Sequence, residues 1–252
     1  MIGADLSGRR VLVTGASSGI GLATVEMFAR NGATVALNHL PDDPRGPAEA
    51  ERLAGDGLSV IALPGDVSAA GAAEAMVAAG IERLGGLDVL VNNAGTSGTT
   101  TPIAFEDLDA MSEDFWATIL ATNLLGPFRC ARAAAATLKA SRGAIVNTAS
   151  VAGLGRRGSS VAYSASKAGL INLTRSLARA LAPDVRVNAV APGLVATPWT
   201  EPWSDERKAS TVGRTMLGRM ARPEDIAETI FFLAAGAAYI TGETITVDGG
   251  AI

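Results

Sequence analysis

A chain of 252 residues can hold one large α/β domain or two small ones, and at 48% apolar and 18% charged it is too apolar for disorder and ample for a sizeable core. Its formal net charge of −4 gives no electrostatic case for nucleic acid or an anionic membrane as partner. One cysteine, Cys130, and one histidine, His39, exclude an internal disulfide and Cys- or His-rich metal sites, so no metal is expected.

Short apolar, β-branched runs alternate with longer helical patterns almost from end to end. Strands are predicted at 10–14, 34–38, 59–63, 87–91, 143–148, 185–190 and 244–247, and helices near 19–31, 46–55, 69–84, 112–139, 162–182 and 223–235. This alternation predicts an α/β chain with a doubly wound, parallel, seven-stranded sheet covered by helices on both faces, in one domain over 1–252. The first ten residues lack the apolar core of a signal peptide, and the longest apolar run, 230–240, is short of the roughly 20 residues a membrane span needs. A cytoplasmic protein is expected.

The first predicted strand runs straight into Gly15-Ala16-Ser17-Ser18-Gly19-Ile20-Gly21, and a helical pattern comes next. In that context Gly15 permits the tight strand-to-helix turn, Gly19 lets backbone approach a pyrophosphate, and Gly21 lets the helix pack closely on the sheet. The helix N-terminus around Ile20 presents free N–H groups to an anion. Ser17 and Ser18 either donate hydroxyls to the phosphates or cap the helix.

The spacing of Thr14-Gly15, Gly19 and Gly21 resembles that of the short-chain dehydrogenase/reductase family. The resemblance continues through Asp66-Val67, Asn92-Asn93-Ala94-Gly95, Asn123, Ser150, Tyr163 with Lys167, Pro192-Gly193 and a Val247-Asp248-Gly249-Gly250 ending. It implies a Rossmann fold and an NAD(P)-dependent oxidoreductase that moves hydride between a nicotinamide cofactor and a secondary alcohol or ketone. A narrower alternative is reduction of 3-oxoacyl groups on acyl carrier protein; an alternative of another class is a cofactor-binding regulator or scaffold without turnover. By the same resemblance Asp66, with Val67 beside it, bonds the adenine amino group, and Asn93, Ala94 and Gly95 pass close to the adenine ribose. Pro192, Gly193, Val195 and Thr197 hold the nicotinamide carboxamide.

Tyr163 and Lys167 are four apart on a predicted helix and so share a face, one turn apart. A phenol of pKa about 10 is a poor acid or base near neutrality, and a neighbouring ammonium is expected to lower it. That pairing makes Tyr163 the acid/base and Lys167 its activator and ribose anchor. Their neighbours on the helix, such as Ser164, Ala165 and Gly169, are small and leave room for a ligand. Ser150, at the end of the fifth strand, is expected to orient and polarise the substrate carbonyl, or else simply to cap the segment after it. Asn123 lies on a helix that Ser112 should cap. Pro127 has no N–H for the Asn123 carbonyl, so a kink is predicted there. The resemblance makes Asn123 the holder of a water that links the lysine to solvent.

The stretch 198–216 has no strong pattern and contains Trp199 and Trp203, which suits a substrate lid. Arg156 and Arg157 read as solvated surface residues, with an acidic or carrier-bound substrate as their sharper alternative. For cofactor choice, the acid that usually ends the second strand of NAD-selective members is replaced by His39, and the first carboxylates, Asp42 and Asp43, come only after Pro41. Asn38, His39 and Ser17 could donate to a 2′-phosphate, so the sequence leans to NADP(H) over NAD(H). The resemblance further implies a homotetramer, for which the small residues Ala131, Ala134 and Ala135 with Leu138 offer a close-packing face between subunits.

Overall fold

The structure is a computed structural model and describes residues 4–251. Seven strands are present: β1 (Arg10–Val13), β2 (Thr34–His39), β3 (Val60–Pro64), β4 (Val89–Asn92), β5 (Ala144–Thr148), β6 (Arg186–Pro192) and β7 (Thr244–Val247). They form one sheet in the order β3-β2-β1-β4-β5-β6-β7, and every pairing is parallel. The connecting helices are α1 (Gly19–Arg30), α2 (Arg45–Gly55), α3 (Ala72–Leu84), α4 (Glu113–Leu120), α5 (Gly126–Ser141), α6 (Val161–Leu181), α7 (Asp205–Val212) and α8 (Pro223–Phe231).

The strands are apolar along most of their length because both of their faces are covered, and buried polar exceptions such as Asn38, Asn92 and Asn147 are hydrogen-bonded within the fold. Val11 and Val13 of β1, Val35 and Leu37 of β2, and Val89 and Val91 of β4 enter one core with residues of α1, α2 and α8. The intervening Leu12, Ala36 and Leu90 enter a second core with residues of α3, α5 and α6. Successive side chains of a strand point to opposite faces, so two apolar faces need a continuous apolar run. Across the first core the Phe28 ring of α1 meets Phe231 of α8, centroids 5.1 Å apart. The doubly wound parallel sheet expected from the sequence is thus what the chain forms. Because β1 lies between β2 and β4, the winding reverses there, and a crevice opens at the carboxyl ends of β1 and β4. Among the described residues no helix is long and apolar enough to cross a membrane.

Three expectations change in detail. Ser112 does cap α4, its Oγ accepting from the Phe115 N–H at 3.3 Å. The kink predicted at Pro127 is taken up instead by one π turn, Ala121–Leu125, in which the Gly126 N–H donates to the Ala121 carbonyl and α4 leads directly into α5. An extra residue in the turn accommodates the missing proline N–H. In the lid stretch, Ser204 caps α7, accepting from the Arg207 N–H at 3.3 Å. Finally, the small-residue face of α5 is not free for another subunit: Ala131, Ala134 and Leu138 are buried against this chain's own sheet and Ala135 packs beside them.

Candidate active site

The loop from β1 to α1 is shaped by close approach. Gly15 and Gly19 have φ of +61° and +55°, conformations that side-chain-bearing residues rarely adopt. A Cβ on Gly15 would stand 2.6 Å from the Ala94 Cα, and one on Gly19 would stand 3.1 Å from the Thr197 Cγ2. Gly21 lies off the cleft, and a Cβ there would run into the Gly15 carbonyl, so its role is the close packing expected of it. Asn93, after β4, locks the loop in place: its amide donates to the Thr14 and Gly15 carbonyls at 3.1 and 3.0 Å. Thr14 answers through its hydroxyl, which accepts from the Asn93 and Ala94 N–H groups at 3.0 and 3.1 Å. Ser18 and Ile20, where α1 begins, line the cleft, and among the described residues the Ser18 hydroxyl makes no capping bond.

The end of β2 differs from expectation. His39 is 4% exposed and lies outside the cleft, its Nδ1 2.8 Å from the Leu40 carbonyl and its ring against Gly46. The cause is the register of β2, which turns this side chain inward under α2, so it is not available to a phosphate. Asn38 reaches the cleft wall but spends its amide on the fold, accepting from the Gly15 N–H at 3.2 Å and donating to the Leu63 and Gly65 carbonyls at 3.1 and 3.0 Å. The Ser17 hydroxyl donates to Asp43 at 2.7 Å. Asp43 and Arg45, both on the cleft wall, form an ion pair at 2.8 Å. A carboxylate therefore does stand at this end of the cleft, delivered by the loop rather than by the strand.

The cleft runs across the carboxyl ends of the strands with a volume of about 1330 Å³. Asp66, Val67, Gly95, Pro192, Gly193, Val195 and Thr197 line it as well. Asp66 also closes a local turn, accepting from the Ser68 N–H at 2.8 Å and its hydroxyl at 2.7 Å. Thus its plain turn role and its cleft position coexist.

At the far end α6 brings Tyr163 and Lys167 to the cleft, with the Lys167 Nζ 5.7 Å from the centre of the tyrosine ring. The N-cap is Ser160, whose Oγ accepts from the Tyr163 N–H at 3.0 Å. Lys167 is 3% exposed, and its Nζ donates to the Thr148 carbonyl of β5 at 2.7 Å. Burial without a carboxylate among the described residues lowers its pKa to about 8. Burial also pushes the Tyr163 phenol up to about 12, while the Ser150 hydroxyl facing it pulls the other way. This corrects the expected direction for Tyr163, because burial raises the phenol more than the Ser150 hydroxyl lowers it. Ser150 caps the segment after it, its Oγ accepting from the Ala152 N–H at 3.1 Å, and it also lines the cleft with its hydroxyl facing Tyr163. Asn123 lies beneath the cleft, fully buried on the π turn. Its Oδ1 accepts from the Thr96 N–H at 2.8 Å, and its Nδ2 donates to the Thr96 carbonyl at 2.9 Å and the Ser166 hydroxyl at 3.1 Å.

Several residues of the site carry no signal in the sequence. Thr96 and Thr148 act through their own backbone on side chains distant in the chain, Asn123 and Lys167, which no local pattern encodes. Trp199 stands edge-on to Tyr163, centroids 5.9 Å apart, and the Arg207 guanidinium lies 5.0 Å from the Trp203 ring centre. Arg156 is not merely solvated: it pairs with Asp248 at 2.7 Å, and both line the cleft, as does Arg157.

A dinucleotide fits these residues. The positive-φ glycines leave the loop without Cβ atoms, the first turn of α1 and the Ser18 hydroxyl face a place for diphosphate charge, and the volume exceeds the roughly 300–1,000 Å³ of ordinary small-ligand pockets. The family model described as Enoyl-(Acyl carrier protein) reductase matches residues 15–251. The chain is 39% identical over 245 residues to the 3-oxoacyl-[acyl-carrier-protein] reductase FabG of Staphylococcus aureus, covering 96% of this chain and 97% of that protein. Among solved structures it is similar to a short-chain dehydrogenase/reductase of Brucella melitensis titled glucose/ribitol dehydrogenase, with a TM-score of 0.89, 35% identity and 99% and 98% of the two chains covered. It is also similar to a 3-oxoacyl-[acyl-carrier protein] reductase of Brucella melitensis with bound NAD, with a TM-score of 0.86, 34% identity and 98% and 92% covered. With its phosphate loop, its Tyr163–Lys167 helix face and a match that spans nearly its whole length, the chain belongs to the short-chain dehydrogenase/reductase family, nicotinamide-dependent oxidoreductases that act on C=O and CH–OH groups.

Proposed function

We propose that Tyr163 is the proton donor and acceptor for a ketone or secondary alcohol whose oxygen lies between Tyr163 and Ser150. The observation that carries this is the facing pair of hydroxyls at the end of the cleft, backed by the buried Lys167 ammonium. When bound, the nicotinamide supplies or removes the hydride. In reduction Ser150 donates to the carbonyl oxygen and polarises it, and Tyr163 hands over its proton as the oxygen gains charge. Lys167, charged below a pKa of about 8, stabilises the phenolate left behind. Asn123, with Thr96 and Ser166, holds the floor of the site and supports proton supply to Lys167. The phosphate loop, Asp66, Val67, Asn93, Ala94, Gly95 and the Pro192–Thr197 stretch form the cofactor's seat, all within one cytoplasmic domain lidded by 198–216.

A second reading is favoured by one feature. Four arginines, Arg156, Arg157, Arg207 and Arg214, line the cleft against two acids, Glu206 and Asp248, the latter paired with Arg156, which leaves it net positive in a chain of net charge −4. That suits an anionic substrate such as a 3-oxoacyl thioester on an acidic carrier, the substrate in the names of the Staphylococcus and Brucella relatives. Turnover of a panel of ketones, secondary alcohols and 3-oxoacyl thioesters with NADH and NADPH tests both readings, and no turnover on any of them would remove the first. We also propose a homotetramer, joined through the outer faces of α4, α5 and α6, where Leu125 and Phe128 are exposed. A monomer by light scattering at micromolar concentration would contradict it.

A further inference from the structure

Arg156 reaches the reaction end of the cleft on a segment that doubles back on itself. After Ser150 a single 3-10 turn, Val151–Leu154, ends at Gly155, whose φ is +88°, and the Arg156 N–H then donates to the Val151 carbonyl at 3.2 Å. That bond returns residue 156 to the neighbour of Ser150. Two residues on, a Cβ on Gly158 would stand 3.2 Å from the Tyr163 ring, so the same segment runs along the phenol. The guanidinium meets Asp248, Nη1 to Oδ2 at 2.7 Å. Asp248 packs in turn on the loop after β6, where a Cβ on Gly193 would stand 2.9 Å from the Asp248 Cβ. Its side chain is 8% exposed, its Oδ1 accepts from the Gly250 N–H at 3.0 Å, and among the described residues only Arg156 reaches its Oδ2. Ser150, Tyr163, Gly193, Asp248 and Arg156 all line the one cleft.

We propose that Arg156, oriented by Asp248, is the receptor for a carboxylate carried by the substrate, so that this chain acts on short oxo or hydroxy acids in preference to neutral ketones. The inference rests on the oxidoreductase reading and narrows its anionic branch to a free acid. The shape of the ion pair carries it. Arg45 and Arg219 each close two nitrogens of the fork on their own carboxylates, Asp43 and Asp225. Arg156 instead meets Asp248 through Nη1, and among the described residues its Nε and Nη2 donate to nothing. Two donors of a planar fork therefore remain for a second carboxylate, which such a fork matches oxygen for oxygen. An arginine already held by a buried acid loses little freedom when it binds. The other cleft arginines are placed differently: Arg157 lies over the Phe105 ring at 5.4 Å with Glu106 at 3.8 Å, and Arg207 lies on Trp203 of the lid. Only Arg156 is fixed on the segment that joins Ser150 to Tyr163, so the acid it receives and the oxygen facing the two hydroxyls belong to one short molecule.

Matched substrates test this. Straight-chain 2-, 3- and 4-oxo acids, the methyl ester of each and a 3-oxoacyl thioester of N-acetylcysteamine are compared by kcat/KM on the wild type, Arg156→Gln and Arg156→Lys. In the wild type at least one acid should exceed both its own ester and the thioester by about tenfold or more, a gap that narrows at high salt because it is one of charge. Arg156→Gln should cut the acid-to-ester ratio by about tenfold or more, chiefly through KM, since it removes binding shared by ground and transition states. Arg156→Lys, which keeps the charge without the fork, should restore only part of it. Binding gives a second readout: with cofactor present, butanoate should quench the cleft tryptophans, Trp199 and Trp203, at least about tenfold more tightly than butanamide does. A wild type that uses every ester as well as its acid overturns the proposal whether or not the variants fold, as does a folded Arg156→Gln with an unmoved ratio. Preference for the thioester over every acid overturns it in favour of the carrier-bound substrate. Turnover of the esters without preference for the acids sinks this inference alone; no turnover anywhere in the panel, nor of simple ketones and secondary alcohols, sinks the oxidoreductase reading with it.

Discussion

The two ends of the cleft are built on opposite principles. At the adenosine end nearly every polar side chain is committed: Asn93 to Thr14 and Gly15, Asn38 to Gly15, Leu63 and Gly65, Asp43 to Ser17 and Arg45. At the reaction end an ammonium is buried on a single carbonyl, and a phenol faces a single hydroxyl. Satisfied networks make a rigid seat, whereas the undersatisfied groups have displaced pKa values, Lys167 toward neutrality and Tyr163 away from it. One end of the cleft is therefore a rigid wall, suited to the proposed cofactor seat, and the other is kept chemically unsettled.

The sharpest way to break that comparison is at Tyr163. Tyr163→Phe keeps the ring and its contact with Trp199 but removes the only proton the mechanism moves at the oxygen. Turnover should fall by at least about a hundredfold while cofactor affinity survives, because the seat lies elsewhere. Steady-state kinetics beside cofactor titration check it, and near-wild-type turnover in a folded protein would take Tyr163 out of the mechanism. The converse change is Gly15→Ala. Its Cβ would meet the Ala94 Cα at 2.6 Å, where both sides are backbone and neither can yield, in a conformation that alanine resists. Overpacking of this kind costs about 1–3 kcal/mol. It should appear as weaker cofactor binding and a lower Tm, with kcat at saturating cofactor changed far less than in Tyr163→Phe.

Lys167 lets the unsettled end be weighed directly. Its folded pKa, about 8, lies below the unfolded value near 10.4, so the folded chain binds fewer protons between them. The penalty of burying the charge is complete below about pH 8 and fades as pH rises toward the unfolded value. Lys167→Met removes the charge but also the bond to the Thr148 carbonyl. We expect it to be more stable than wild type by about 1–2 kcal/mol at pH 7, an advantage that shrinks above pH 8, though it should be nearly inactive. Denaturant melts across pH measure this. Equal stability at every pH would mean that the site carries no such cost. In the wild type the same ionisation should make the reductive rate level up to about pH 8 and falling beyond it.

Legibility in the sequence obeys the same division. The sheet is legible because two covered faces demand apolar residues at most strand positions, and Gly15, Gly19 and Gly21 are legible because each conformation or contact admits no other residue. Tyr163 and Lys167 are legible because one helical turn separates them. Residues that act through another strand are not. Thr148 contributes its carbonyl, Thr96 clasps Asn123 with its backbone, and neither leaves a trace in residue type. The end of β2 misleads for a related reason: counting along the strand arrives at His39, but the pleat buries that side chain, and the loop returns the charge through Asp43. The Tyr163 pKa is misread because helical spacing shows the lysine one turn away and not the burial that raises the phenol.

The smallest effect expected is at Trp199, which decides how far the unsettled end extends into the lid. Its indole meets the Tyr163 ring edge-on at 5.9 Å from a segment that continues into α7, a helix with no buried residue. An edge-to-face pair contributes about 0.5–1.5 kcal/mol beyond the area it covers. If Trp199 only walls the substrate, Trp199→Ala should raise KM by about three- to tenfold, the loss expected when one aromatic contact to the substrate is removed, and leave kcat within about threefold. Trp199→Phe should recover most of the loss. If instead the indole positions the phenol, kcat should fall while KM holds, and the fall should persist with small substrates that never reach the lid. The walling outcome is expected, because Tyr163 is already fixed by Ser160 at the start of α6 and faced by Ser150, whereas nothing in α7 is buried enough to hold Trp199 rigid.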